Sequence, residues 1–390
     1  MSMSDKKKSS AIVAGLALFS MFFGAGDLIW PLILGGSSGD KNLFAFFGLI
    51  ITGVSLPLLG LIAMLLFNGE PKSFFGRIGK TPCFILIFLI QAILGPIGSL
   101  PRIIALSYAT LKPYLPAYTT LFFFSILFSM LIFFFVLRKN KLITLLGLIL
   151  TPVLLLSLAS LFVIGFLHPP EAPALQLSSQ EAFKSGLNVG YNTLDLVASF
   201  LFAPLVLSHF TASGDDSREN RQKAFKKMMQ ASCIAALLLG FMYFGLTYLA
   251  SFYTPFLNAH PPEERLREIS LLLLGPTGAF IASVAVVLAC LTTAIPLIAI
   301  SADYIRDDLC KKRVGIIGPL LLSLALSAAI ANLGFIGIAK MLSPLLQILC
   351  PGLIVLSVLN ILHKLYEIKV AKVPVYAAFA LSTIGYAAFI

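Results

Sequence analysis

Apolar residues in this chain come in blocks instead of alternating with polar ones. Runs of about twenty, separated by short polar segments, recur from Ala11 to Ile390. A helix of that length crosses a hydrocarbon core of roughly 30 Å. Lipid offers the backbone no water, so each run must satisfy its own amides, and runs this long are too long for barrel strands. The pattern predicts an all-α polytopic membrane protein with eleven spans. They are Ala11–Gly35, Leu43–Phe67, Pro82–Leu111, Tyr118–Leu137, Leu142–Leu167, Val189–Leu207, Met228–Phe252, Gly275–Tyr304, Val314–Ala331, Ile338–Leu359 and Val373–Ile390.

Composition agrees: 58% of residues are hydrophobic and 12% charged, with mean hydropathy +0.97. A soluble domain carries about a quarter charged residues. The net charge of +11 raises the question of nucleic acid, but the basic residues sit in short loops between apolar runs. Twenty-one of the 28 fall on one alternate set of segments and five on the other. That asymmetry is a topology signal, placing the N-terminus in the cytoplasm and the C-terminus outside, and no nucleic-acid partner is expected. Met1–Ser10 reads as a basic cytoplasmic tail and not a cleaved signal. Two outside loops are long, His168–Leu187 and Tyr253–Leu274, and their amphipathic stretches read as helices on the bundle surface or as a lid.

Several residues do not belong in a span. The first contains Phe23-Gly24-Ala25-Gly26-Asp27 near its middle. Each glycine weakens a helix by about 1 kcal/mol, and a carboxylate at that depth costs about 2.5–3.5 kcal/mol. Close helix packing would explain the glycines but not Asp27. An unwound segment explains both, because broken helices in transporters offer N–H groups to a substrate carboxylate and C=O groups to a cation. The sixth span opens Gly190-Tyr191-Asn192-Thr193-Leu194-Asp195 and continues Ser199-Phe200-Leu201-Phe202-Ala203-Pro204. Pro204 removes a hydrogen bond, and a break near Phe200 is expected. Spans one and six occupy matching places in two five-span halves, which points to an inverted repeat. The division is then residues 1–10, 11–167, 168–188, 189–359 and 360–390.

The eighth span carries Thr292 and Thr293 ahead of Pro296. Their hydroxyls can bond back to the preceding turn, or serve with backbone carbonyls as ligands for a hard cation such as Na⁺. The third span holds Gly95-Pro96 and Pro101-Arg102, with Tyr108 two turns on. A buried Arg102 needs a partner, and Asp27 and Asp195 are the candidates. The four histidines lie at span ends or in loops, and no G-x-x-x-x-G-K-[ST] loop is present, so neither a membrane hydrolase nor an ATP-driven pump has a visible site. The chain is not expected to be an enzyme and needs no organic cofactor.

At these same positions the chain resembles the bacterial branched-chain amino acid:cation symporters, the LIVCS family. Phe22-Phe23-Gly24-Ala25-Gly26-Asp27-Leu28-Ile29-Trp30-Pro31 is similar to that family's first-span signature F-F-G-A-G-N-L-I-F-P, and Gly95-Pro96, Pro101-Arg102, Gly190 to Asp195 and Leu291 to Ile295 match in order. The resemblance implies a LeuT-like 5+5 fold with helices one and six discontinuous, in the inner membrane. It implies import of leucine, isoleucine and valine with Na⁺. The Ala25 and Gly26 amides would receive the substrate carboxylate and carbonyls near Phe200 its ammonium, with Phe200, Phe202 and Ile295 shaping an apolar pocket. Gly24, Asp27, Tyr108 and Ser199 complete the substrate-facing set. Thr292 and Thr293, with carbonyls of Ser20 and Phe23, would hold Na⁺. Asp27, Arg102 and Asp195 are the coupling charges. Two departures stand out. Asp27 replaces the usual asparagine and admits H⁺ as coupling ion, and eleven spans are read where the family has twelve. A broader neutral or aromatic amino acid permease of the same fold, or a channel, is the alternative.

Overall fold

The computed structural model of the protein describes residues 11–137, 151–167, 169–170, 172–175, 177–211, 218–368 and 370–389. The basic tail Met1–Ser10, the start of the predicted fifth span and the loop residues Arg138, Lys139 and Lys141 lie outside the described residues.

All regular structure among the described residues is helical. The first span is two helices, α1 (Ala11–Phe22) and α2 (Ala25–Ser38), parted at Phe23-Gly24. Next come α3 (Asn42–Ile50), a π turn at Ile51–Ser55 and α4 (Leu56–Leu66), then a short α5 (Pro71–Phe75). Gly39, at φ +46°, turns the chain between α2 and α3. Without that turn, the apolar stretch Ala25–Leu66 would be one helix about twice as long as a bilayer core. The third span is also broken: α6 (Lys80–Leu94) and α7 (Ser99–Leu111) flank a turn at 95–98. There follow α8 (Leu121–Leu137), α9 (Thr151–Leu167), α10 (Ser179–Asn192), α11 (Asp195–Thr211) and α12 (Arg218–Phe252). The remainder is α13 (Thr254–Asn258), α14 (Arg265–Tyr304, kinked at Gly275), α15 (Ile317–Ala331), α16 (Gly334–Tyr366) and α17 (Lys372–Phe389).

Two expectations about the sixth span are corrected. The segment Ser179–Leu187, read as part of an outside loop, is the first half of that span. It forms α10, bent by 41° from α11. Gln180, Glu181 and Lys184 hid it from a hydropathy reading, whereas its shelter comes from α3. A β-carbon on Gly186 would stand 2.0 Å from the Ala45 carbonyl oxygen, so the two backbones touch. The break itself lies at Thr193-Leu194 and not at Phe200–Pro204, because α11 runs unbroken through Pro204. A proline removes one hydrogen bond and bends a helix. At the true break the Asn192 and Thr193 side chains bond back to the Asn188 and Gly190 carbonyls and end α10, and Leu194 turns into the left-handed region at φ +75°.

The broken spans lie at the centre. Both α1 and α2 pack along α12, α10 lies on α3, α11 on α4, and α14 contacts α7, α9 and α15. Large apolar side chains such as Phe122, Phe134, Leu156, Leu237 and Leu322 face outward. A soluble protein buries such residues, whereas a lipid-facing surface displays them.

Candidate substrate and cation site

The two breaks abut. Gly24 caps α2 in an extended conformation, so Ala25 and Gly26 open that helix and their N–H groups have no acceptor within it. Gly26 lies against the Thr193 carbonyl, and Gly24 against the Thr293 side chain, where a β-carbon would stand 2.9 Å from the hydroxyl oxygen. A β-carbon at either place would be tighter than nearly all ordinary contacts, and its neighbour would have to shift. An N-terminus rich in free donors therefore faces the carbonyl end of α10, the arrangement a zwitterion requires.

Between them lies a cavity of about 10 Å³, room for one water. Gly24, Ala25, Gly26, Asp27, Asp195, Phe202 and Thr293 line it, with Leu94, Ser99, Thr193, Ala198 and Leu297, which the sequence did not single out. Phe202 stands edge-on to Phe22. Four residues expected here are elsewhere. Tyr108 donates to the Thr119 carbonyl beyond the end of α7, and Ser199 donates to Leu196 and faces Gly60 of α4. Phe200 packs between Phe74 and Phe75 of α5. Ile295 is buried but not part of the cavity wall. On α11, Ala198 and Phe202 are four residues apart and share a face. Ser199 and Phe200 follow Ala198 by one and two positions and are carried round to other faces.

Asp27 and Asp195 meet at the cavity edge, each almost fully buried. Asp27 accepts the Gly24 N–H at 2.8 Å, which closes the first turn of α2. Between the carboxyls sits the Tyr243 hydroxyl of α12, hydrogen bonded to Asp27 and, at 2.6 Å, to Asp195. Tyr243 was missed by the sequence reading. Its signal was a tyrosine in mid-span, where the aromatic belt of span ends gives it no reason to be. The π turn at Ile51–Ser55 runs beside it, with Gly53 against its ring. Arg102 makes no ion pair with either aspartate among the described residues. Its guanidinium donates to the Asn192 carbonyl at 3.0 Å and stacks on the Phe335 ring at 5.4 Å, while Nε has no partner. Arg102 thus holds the end of α10 and faces the carboxylates electrostatically, across more than ion-pair distance.

Three of the four expected cation ligands, Ser20, Thr292 and Thr293, also come together. The Thr292 and Thr293 hydroxyls reach the Ser20 carbonyl of α1 at 2.9 and 3.2 Å, one turn before the break at Phe23-Gly24. Three oxygens from two helices converge there, all buried, and this donor set suits Na⁺ in kind.

The description of the branched-chain amino acid transport protein family matches residues 7–388. The chain belongs to this family. Candidate branched-chain amino acid carrier proteins of Staphylococcus aureus, from strains USA300 and MRSA252, are 31% identical over 95% of this chain and 86% of their own length. The fold is that of the LeuT-like transporters. Mhp1, a nucleobase-cation-symport-1 family transporter in a closed conformation, superposes with a TM-score of 0.66 at 14% identity, covering 97% of this chain and 92% of its own. A Na⁺-coupled sialic acid symporter gives 0.61 at 12% identity, covering 98% and 91%. The protein is a multi-pass membrane transport protein and not an enzyme.

Packed elements stand on both sides of the transporter's cavity. At one end α13 lies over α2, with Asn258 donating to the Gly36 carbonyl at 3.2 Å. Toward the end that carries the basic loops, Phe74 and Phe75 of α5 wedge against Phe200. A separate vestibule of about 610 Å³ opens there between α6 and α14, crossed by the Lys72–Asp308 ion pair at 2.5 Å. That carboxylate holds the Lys72 ammonium above the usual lysine range. Gln91 lines the vestibule and Leu94, one turn along α6, lines the cavity.

Proposed function

We propose that this transporter is a secondary active symporter that imports leucine, isoleucine and valine across the bacterial inner membrane, driven by a cation gradient. The observation that carries the reading is the apposition of two helix breaks around a small cavity whose wall is polar at the breaks and apolar at Leu94, Ala198, Phe202 and Leu297. The Ala25 and Gly26 amides receive the substrate carboxylate. The Thr193 carbonyl, at the end of α10, receives the ammonium, in place of the carbonyls near Phe200. Leu94, Ala198, Phe202 and Leu297 enclose a branched aliphatic side chain. At about 10 Å³ the cavity is far too small for an amino acid, so entry requires the broken helices to part from their neighbours.

Na⁺ fits beside Ser20 of α1, held by Thr292 and Thr293 of α14 with the Ser20 carbonyl and, from the chain at the break, Phe23. Binding there would tie the two helices together before the substrate docks, which makes uptake depend on the ion. The basic loops favour placing the vestibule on the cytoplasmic side and the α13 lid outside.

Uptake of labelled leucine, isoleucine, valine and phenylalanine into proteoliposomes tests the reading, under a Na⁺ gradient and separately under a pH gradient. Accumulation of the three branched substrates above phenylalanine supports it. If leucine accumulates under neither gradient, symport is excluded.

A further inference from the structure

We propose that Asp27, Asp195 and Tyr243 form a proton-carrying site that is assembled when the broken helices close, and that one proton crosses with each amino acid. The inference rests on the transport reading above and adds the group that carries the charge.

Hydrogen counting points to it. The Tyr243 oxygen lies within hydrogen-bonding distance of both Asp27 and Asp195. A phenol has one hydrogen and can satisfy one carboxylate. The second oxygen–oxygen contact, at the same close range, needs a hydrogen of its own, and a carboxylic acid is the source. The closed site therefore holds one proton more than two ionised aspartates would.

Charge leads to the same number. Among the described residues Arg102 is the one cation facing the pair, 1% exposed and with an unpartnered Nε. One ionised and one protonated aspartate beside one arginine make a neutral cluster, which is the inexpensive state in a dry interior. With both aspartates ionised, a net negative charge would stay buried. No other titratable group faces the cluster among the described residues. The cavity wall otherwise presents Met21 and Phe22 of α1, Leu94 and Ser99 beside the third-span break, Thr193 of the sixth-span break and Thr293 of α14.

The geometry also supplies the coupling. The three groups stand on α2, α11 and α12, so the shared proton has its full set of partners only while these helices are packed together. When they part toward one side of the membrane, each carboxyl gains water and the proton leaves to that side. Asp27 also caps α2, through the Gly24 N–H, so loss of its proton and movement of the broken helix act on one residue.

The test is proteoliposomes holding a pH-sensitive dye, equal Na⁺ on both faces, and leucine added outside. Proton entry is recorded alongside net leucine entry in the same vesicles, which hold no leucine at the start. The unmodified protein is expected to acidify the lumen by about one proton per leucine that enters. In Asp195→Asn and Asp27→Asn, whose amides supply the missing hydrogen permanently, the protons entering per leucine are expected to fall to near zero, whatever uptake remains. Net leucine entry without acidification by the unmodified protein overturns the proposal and leaves the transport reading intact, as does an unchanged ratio in both variants. Absence of any leucine entry overturns both. Should the asparagine variants not fold, Tyr243→Phe keeps both carboxyls and removes only the bridge. It is expected to shift the pH of half-maximal uptake, and an unmoved value overturns the proposal.

Discussion

Gly26 and Thr193 meet backbone to backbone, so that a β-carbon on Gly26 would stand 3.0 Å from the Thr193 carbonyl oxygen and 3.2 Å from its α-carbon. Both residues sit at helix breaks from opposite halves of the chain, and a side chain at Gly26 would push the two backbones apart by a few tenths of an ångström. Gly26→Ala gains about 1 kcal/mol of helix propensity yet is expected to lose transport, because it forces the two breaks apart. Leucine uptake, set against the thermal stability of the purified protein, separates the two effects. Full uptake in this variant would show that the apposition is not needed.

The threonine pair predicts a separation of affinities. Removing both hydroxyls with Thr292→Ala and Thr293→Ala withdraws two of three converging oxygens from the Ser20 carbonyl. At about 1 kcal/mol or more for each of the two lost oxygens, the Na⁺ concentration for half-maximal uptake should rise by roughly thirtyfold or more. The leucine concentration should change much less. Equal loss of both affinities, or of neither, argues against a cation at this place.

Phe202 sets the width of the cavity, edge-on to Phe22. Phe202→Leu should raise phenylalanine uptake relative to valine, since each methylene of pocket space is worth about 1–3 kcal/mol of discrimination. Competition of the two amino acids against labelled leucine measures it.

Arg102 predicts a stability effect larger than a surface charge would give. Arg102→Met leaves the carboxyl pair without a facing cation and the Asn192 carbonyl without a donor, and a buried charge left so costs about 3–5 kcal/mol. Arg102→Lys keeps the charge but not the planar stacking on Phe335, and should fall between the two in melting temperature. If the three proteins melt together, the cluster does not depend on Arg102.

Gln91 stands in the vestibule one turn from Leu94 in the cavity wall. Gln91→Phe should slow leucine uptake while leaving equilibrium binding of leucine in detergent near its original value. A matched fall in binding would place the exit elsewhere.

Much of this protein was legible before the fold was known. Helix and membrane follow from local composition, because the requirement that each buried amide bond to its own segment acts within about twenty residues. The first-span break was legible too, since two glycines and a carboxylate at one depth have no other economical explanation. In the sixth span Pro204 drew attention to the wrong place, and the real break depends on hydrogen bonds that Asn192 and Thr193 make as α10 ends. The polar first half of that span read as a loop because its shelter is α3, more than a hundred residues earlier. Tyr243 looked like one more aromatic in an apolar run, and only the fold brings it between Asp27 and Asp195. The sequence alone determined what each segment must be in lipid, a matter of each residue's own solvation. The tertiary structure decided which polar groups face one another, because hydrogen bonds and charge pairing depend on distances between helices that no spacing along one chain records.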